Sequence, residues 1–262
     1  MPLRRVASRA GTFAAGQPRY HKAFLRRSIS IAIPAYNEAK RLPRALESIR
    51  EYLAKTSWEF AEVVVVDDGS VDRTGEIARA AGARVVKNPG NRGKGYSVKH
   101  GVLEARGDWV LVTDADLSAP IADLDRLWEA ASREQAQVAI GSRAVDRSLV
   151  GVHQPFFREA AGRAFNIIMR VVTGLPFRDT QCGFKLFEAQ AAREIFRRQR
   201  LDGFGFDVEV LFIARRLGYR SIEVAVHWND VPGTTVSLTR GAAAFLADPV
   251  LVRWNGLRGR YR

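Results

Sequence analysis

The chain has 262 residues, 47% of them hydrophobic, which is enough for a full core, and its length fits one α/β unit with short appendages. Its formal charge of +13 arises from 41 Lys and Arg against 28 Asp and Glu, and its single cysteine, Cys182, excludes an internal disulfide and fits a reducing compartment. No apolar run reaches 18 residues, because Arg170 interrupts the stretch 165–175 and Asp248 with Pro249 interrupts 241–252, so the expectation is a soluble or peripheral protein with no spanning helix.

Residues 1–27 carry Arg4, Arg5, Arg9, Arg19, Lys22, Arg26 and Arg27 with no acid, so seven of the thirteen excess charges lie there. The segment reads as a flexible basic arm, a transit segment or a lipid-attracted tail, and it lacks the apolar core of a secretory signal. From Ile29 the pattern changes. Ile29 to Ile33 reads as a strand that Pro34 breaks, followed by a helix with Leu42, Leu46, Ile49 and Leu53 on one face. Glu62 to Val66 is a second strand, ended by Asp67-Asp68-Gly69-Ser70, and Thr74, Ile77, Ala78 and Ala81 form a helical stripe. Arg84 to Lys87 reads as a third strand. The Gly- and Lys-rich loop Asn88 to Gly95 leads to a helix through Val98, Val102 and Leu103, and Trp109 to Thr113 is a buried strand ending in Asp114-Ala115-Asp116. Further on, Val138 to Gly141 and Ser221 to His227 read as strands, 156–172 and 206–217 as helices, and 178–187 as loop and strand.

This alternation implies a mainly parallel sheet with helices on both faces, whose ligands bind beyond the carboxyl ends of the strands. Both acidic clusters fall at such ends. Two carboxylates one residue apart, as in Asp114 and Asp116, suit a divalent cation that keeps waters and shares substrate phosphates. Ser70 or Asp72 can cap the following helix, but capping leaves Asp67 and Asp68 together unexplained.

Pro34-Ala35-Tyr36-Asn37-Glu38, Val65-Val66-Asp67-Asp68-Gly69-Ser70, Asn91-Arg92-Gly93-Lys94-Gly95 and Thr113-Asp114-Ala115-Asp116-Leu117 resemble, in this order, the motifs of family-two glycosyltransferases with the GT-A fold, a Rossmann-like α/β architecture. Gly141-Ser142-Arg143, the stretch Asp179 to Lys185, Phe206 to Glu209 and Val226-His227-Trp228 look like the dolichyl-phosphate β-glucosyltransferase branch. The resemblance implies a catalytic domain over 28–250, flanked by the basic segment 1–27 and a basic tail 251–262.

Carried over to these positions, the resemblance assigns Asp68 to the uracil imide, with Pro34, Tyr36, Glu38 and Ala115 in the same nucleotide-sugar pocket. Asp114 would hold the ribose, Asp116 the Mg²⁺ or Mn²⁺ at the diphosphate, and Arg92 and Lys94 would add positive charge. Arg143, Arg158 and Lys185 match acceptor-phosphate positions. Asp207 matches the general base of inverting relatives, with Glu209 and Asp179 as weaker candidates, while His227 and Cys182 read as structural. Ser118 stands where mannose-transferring relatives usually carry Gln, which favours glucose. The implied reaction moves glucose from UDP-glucose to dolichyl or polyprenyl phosphate at the cytoplasmic face of an anionic membrane. Relatives of this branch carry an N-terminal anchor, so here membrane contact would rest on the basic segment and the amphipathic stretch 156–172. The alternatives are the same fold acting with GDP-mannose or a soluble acceptor, and a silent sugar-nucleotide-binding scaffold. Nucleic acid is not an expected partner, since no binding motif accompanies the charge.

Overall fold

The computed structural model describes residues 28–152, 166–229 and 238–262, and side chains of the last stretch from residue 247 onward. In chain order its elements begin with β1 (Ser28–Ala35), α1 (Leu42–Ala54), β2 (Phe60–Asp67), α2 (Thr74–Ala80), β3 (Arg84–Lys87), α3 (Lys94–Glu104), β4 (Trp109–Val112), α4 (Asp123–Glu134) and β5 (Val138–Ser142). They continue with β6 (Val150–Val152), a helical stretch 166–173, β7 (Lys185–Glu188), α5 (Ala189–Arg198), α6 (Phe206–Arg216), β8 (Ser221–Ala225), β9 (Trp228–Asn229) and α7 (Leu238–Leu257).

Strand side chains alternate between two apolar faces, and this alternation divides the core in two. Ile29, Ile31, Ile33, Trp109 and Leu111 pack with Leu42, Leu46, Ile49, Ala78, Leu124 and Leu127 from α1, α2 and α4. Ala32, Val110 and Val112 pack instead with Val98, Val102, Ile195, Phe196 and Leu211 from α3, α5 and α6. Both faces are covered, which is why these strands read as unbroken apolar runs. The seven-stranded sheet has the order β3-β2-β1-β4-β7-β5-β8; β7 alone runs antiparallel to its neighbours. The carboxyl ends of β1, β2, β4 and β5 therefore share one edge with the start of β7. The short strands β6 and β9 pair separately.

Pro34 does not end β1, contrary to the sequence expectation: the strand runs on to Ala35, which pairs with Asp67. The Ala35 carbonyl accepts from Asp68 N–H on the β2 side, whereas the Ala32 carbonyl accepts from Thr113 on the β4 side. By alternation Pro34 faces the β4 side, where the ladder has already ended at Ala32 and Val112. A residue without an N–H costs nothing there.

Helices α4 and α5 are not among the expected elements. Both are amphipathic, with Leu124, Leu127 and Ala131 buried on one and Ala191, Ala192, Ile195 and Phe196 on the other, so the stripe that marks a helix is present in the sequence. The expected boundary at residue 250 also falls inside a helix. α7 continues to Leu257, and Tyr261 is buried against the Phe212 ring at a centroid distance of 6.1 Å, so residues 251–262 are packed and not a free tail.

That packing is anchored by Glu209, a fully buried residue of α6. It accepts from Arg200 and Leu201 N–H at 3.0 and 2.8 Å and from the Tyr261 hydroxyl at 2.7 Å. Burial pushes its carboxyl pKa up, with these donors opposing. All of its partners are structural, so Glu209 holds the carboxyl terminus onto the core. We predict that Tyr261→Phe lowers stability by about 1 kcal/mol, and Glu209→Ala by about 3 kcal/mol because it strands two buried N–H groups and a hydroxyl, as read from denaturant midpoints.

Candidate active site

The carboxyl edge of the sheet opens into a cleft of about 300 Å³ lined by Pro34, Ala35, Tyr36, Glu38, Arg41, Asp68, Asn91, Gly93, Lys94, Ser97, Asp114, Ala115, Asp116 and Phe204. Its walls are loops that backbone pairing alone would not fix. The turn after β1 is strapped to the turn after β2: Asn37 N–H donates to Ser70 Oγ, Glu38 N–H to Thr74 Oγ1, and Val71 N–H to Asn37 Oδ1, at 2.8 to 3.0 Å. Asn37 itself sits at φ 56, a left-handed conformation that asparagine tolerates. Gly69, at φ 76, has no substitute: a Cβ there would lie 2.6 Å from the Gly90 carbonyl carbon.

Asp68, only 4% exposed, organises the third wall. Its Oδ1 accepts from Asn88 Nδ2 at 2.6 Å and Arg92 N–H at 3.0 Å, and its Oδ2 accepts from Gly93 N–H at 2.9 Å. Because a carboxylate only accepts, the Asn88 amide must turn its nitrogen to Asp68. Its oxygen then faces His100 Nδ1 at 2.7 Å, which fixes the proton on that ring nitrogen. Oδ2 keeps one acceptor position beyond its bond to Gly93 among the described residues. Arg92 departs from expectation: its backbone serves Asp68, but its guanidinium lies 4.9 Å above the Tyr96 ring and does not line the cleft.

Lys94 does enter the cleft, with Nζ 2.7 Å from Asp114 Oδ1. Burial would lower its pKa, but the charges of Asp114 and Asp207 outweigh burial and raise it, so Lys94 stays cationic. The other side of Asp114 is closed by Gly183, where a Cβ would come within 2.1 Å of Asp114 Oδ2. Asp116 Oδ1 accepts from Ser118 N–H and Oγ, both at 3.0 Å, and among the described residues the nearest cation to Oδ2 is Arg41 at 3.8 Å. Arg41 is already engaged by Glu38 through a two-pronged pair, whose hydrogen bonds raise its pKa.

The expected acceptor cations fare differently. Arg143 is clamped by Asp179, with Nε and Nη2 at 2.7 and 2.8 Å from its two oxygens, and it stacks 4.8 Å over the Trp228 ring. Lys185 is only 1% exposed; it donates to the Cys182 carbonyl at 2.6 Å and to Asp207. Each is thus paired with a protein carboxylate, the counter-charge that a cation withdrawn from water needs. Arg158 lies outside the described residues, as does much of the stretch 156–172. Asp207 is 4% exposed and burial pushes its pKa up, against the pull of Lys185 and Lys94. His227 shares Asp123 through its backbone N–H and through Nδ1 at 2.9 Å, and burial pushes the Cys182 thiol up to about 12.

Arg41 and Phe204 are site residues that the sequence motifs do not single out, and Gly183 lies within the motif stretch Asp179 to Lys185 but has no role assigned to it there. Arg41 stands three residues after Glu38 in the first motif, a spacing that could have flagged the ion pair. Gly183 and Phe204 reach the cleft only through tertiary packing.

A strand-end cleft bordered by acidic turns and a glycine-rich loop defines a nucleotide-sugar transferase, and the comparisons give the same class. The description Glycosyl transferase family 2 matches residues 30–196, and the chain belongs to this family. It is 36% identical over 225 residues to a dolichyl-phosphate beta-glucosyltransferase of Trichomonas vaginalis, covering 80% of this chain and 68% of that protein. It is 37% identical over 226 residues to the Drosophila melanogaster protein of the same name, covering 80% and 69%, and 31% identical over 252 residues to the Homo sapiens one, covering 90% and 78%. Among solved structures, glucosyl-3-phosphoglycerate synthase from Mycobacterium tuberculosis, in complex with Mn²⁺, UDP-glucose and phosphoglyceric acid, shares the fold with a TM-score of 0.65 at 22% identity, over 89% of this chain and 82% of that one.

Two outcomes follow from this geometry. Gly183→Ala displaces the Asp114 carboxylate and weakens nucleotide binding at least about tenfold while the circular dichroism of the fold is kept, since the clash is local. Asp179→Ala leaves Arg143 without its counter-charge and costs about 2–3 kcal/mol at neutral pH. Burial raises the Asp179 pKa, but Arg143 outweighs it, and the folded value lies below the ordinary carboxylate range. The contribution of Asp179 is therefore complete above that range and disappears as pH falls through the folded value, so the stability gap between parent and variant closes in acid.

Proposed function

We propose that this glycosyltransferase moves glucose from UDP-glucose to dolichyl or polyprenyl phosphate with inversion at the anomeric carbon. The observation that carries the reading is the unequal pairing of the cleft carboxylates. Glu38 and Asp114 each have a cation at 2.7 Å or closer and Asp68 has three hydrogen-bond donors over both oxygens, whereas Asp116 has the Ser118 N–H and hydroxyl on Oδ1 alone and no cation nearer than 3.8 Å among the described residues. A hard divalent cation fits there, because such ions accept one or two protein carboxylates and complete their shell with water and phosphate oxygens. Bound there, Mg²⁺ or Mn²⁺ would supply charge neutralisation to the departing diphosphate.

The chain's own residues do the rest. The open acceptor position on Asp68 Oδ2 suits a uracil imide N–H, with Pro34, Tyr36 and Ala115 walling the base. Asp114 takes the ribose, and Lys94 places a permanent cation beside the diphosphate. The acceptor phosphate oxygen forms the new bond to the anomeric carbon as the bond to the UDP oxygen breaks, and the electron pair leaves with UDP. A phosphate monoester with a second pKa of about 6 is largely a dianion near neutrality, so this step needs little proton removal. Asp207, held by Lys185, then acts as a positioning group. Arg143, Arg158 and Lys185 are the acceptor cations of this reading, with Arg143 and Lys185 held by Asp179 and Asp207.

The lipid chain finds support in a shallow groove formed by Ile167, Arg170, Val171, Gly174, Leu175 and Pro176, where Ile167 and Val171 are 60% and 79% exposed. No helix of the described residues is long and apolar enough to cross a membrane. The reading includes peripheral contact of basic surface residues with the anionic cytoplasmic face. Calorimetry with UDP tests the donor site. Binding is expected to tighten with Mn²⁺ in the parent and to lose that metal dependence in Asp116→Ala, with Lys94→Ala weakening it about tenfold. Binding of GDP in preference to UDP would contradict the donor assignment.

A further inference from the structure

Helix α7 has two apolar sides. One faces the protein: Val252, Asn255 and Gly256 are buried, and a Cβ on Gly256 would come within 2.6 Å of the Phe212 ring. The other faces away. Val250, Leu251, Trp254 and Leu257 are 58%, 40%, 49% and 67% exposed. At 100° per residue these four fall within an arc of about 120°, a continuous stripe and not scattered surface residues. Arg253 flanks the stripe, and Arg258 places its guanidinium 4.3 Å above the Trp254 ring. From residue 250 to the end the chain carries Arg253, Arg258, Arg260 and Arg262 and no acid. All four arginines are exposed.

We infer that the exposed face of α7 over residues 250–258 is a docking surface for an anionic lipid bilayer, with Trp254 and Leu257 inserted at the interface and the arginines against lipid phosphates. Tryptophan with aliphatic neighbours, rimmed by cations with long apolar stems, is the side-chain combination suited to the boundary between headgroups and acyl chains. A second copy of the chain fits less well. The patch is on the order of 400 Å² per copy, below the roughly 800 Å² per partner of a standard interface. A twofold contact would also set arginine against arginine.

The position of the helix gives the surface a purpose. Asp248, two residues before the stripe begins, accepts a hydrogen bond from the Gly205 backbone. Gly205 adjoins Phe204, which lines the cleft, and Phe206 and Asp207, which begin α6. The helix that meets the bilayer is thus braced against the wall of the cleft, so docking would hold the cleft close to the membrane surface. The inference rests on the lipid-acceptor reading for this purpose, but its test requires no turnover.

The test uses the full chain and phosphatidylcholine vesicles with and without phosphatidylserine. Sedimentation is expected to show that Val250→Ser, Trp254→Ser and Leu257→Ser together reduce partitioning onto anionic vesicles at least about tenfold, with Arg253→Glu and Arg258→Glu doing the same. UDP affinity should be unchanged, since none of these residues lines the cleft. Independently, an environment-sensitive fluorophore on Leu257→Cys should shift to the blue on anionic vesicles and be quenched by a lipid-borne quencher; buried Cys182 does not compete for the label. Unchanged partitioning of the serine variant, or a label that stays in water, overturns the inference. A label that becomes shielded with rising protein concentration in the absence of vesicles assigns the face to a second copy and also overturns it. Docking through α7 by a chain that transfers no sugar to lipid would leave this surface standing and remove the lipid-acceptor reading instead.

Discussion

The structure depends on how it compensates the carboxylates gathered at one edge of a parallel sheet. Parallel strands deliver their carboxyl ends to the same side, and here they bring Asp68, Asp114, Asp116 and, through neighbouring elements, Asp179 and Asp207. Like charges at close quarters in a partly buried site cannot all remain ionised without counter-charges or hydrogen-bond donors. Each carboxylate has its own answer. Asp68 takes backbone N–H groups and an amide, Asp114 takes Lys94, Asp179 takes Arg143, and Asp207 takes Lys185. Asp116 has Ser118 and, at 3.8 Å, the Arg41 guanidinium that Glu38 also engages.

This pattern explains why the elements and the motifs were legible in the sequence while some roles were not. The strands announce themselves because both of their faces are buried, and the acidic turns because capping cannot account for adjacent Asp67 and Asp68. Partner choice is another matter. Nothing in the order Gly-Phe-Lys says that Lys185 turns inward to Asp207, nor does Gly-Ser-Arg say that Arg143 closes on Asp179. Both look like free cations until the fold places an acid beside them. Arg92 shows the converse: its motif neighbours line the cleft, yet one residue's rotation along the loop sends its side chain to Tyr96.

The carboxyl-terminal segment illustrates a related limit. Its composition, four arginines with no acid, suggests a solvated tail, but the decisive residues are the two that composition hides. Tyr261 is buried and bonded to Glu209, and Gly256 permits α7 to approach Phe212 closely. Once the helix is held in this way its outer apolar stripe is fixed in space. Stability, cleft geometry and surface chemistry meet in the same short stretch, since α6 carries both Asp207 at its start and Glu209 two residues on.

A lipid-phosphate acceptor and a UDP-glucose donor together define the proposed reaction. They are tested by transfer of labelled glucose from UDP-glucose by the full chain with Mn²⁺, offering dolichyl phosphate and 3-phosphoglycerate in parallel. Label is expected in an organic-extractable, acid-labile product made with dolichyl phosphate, absent in Asp116→Ala. Label appearing only in a water-soluble product, or only when GDP-mannose replaces the donor, would contradict it.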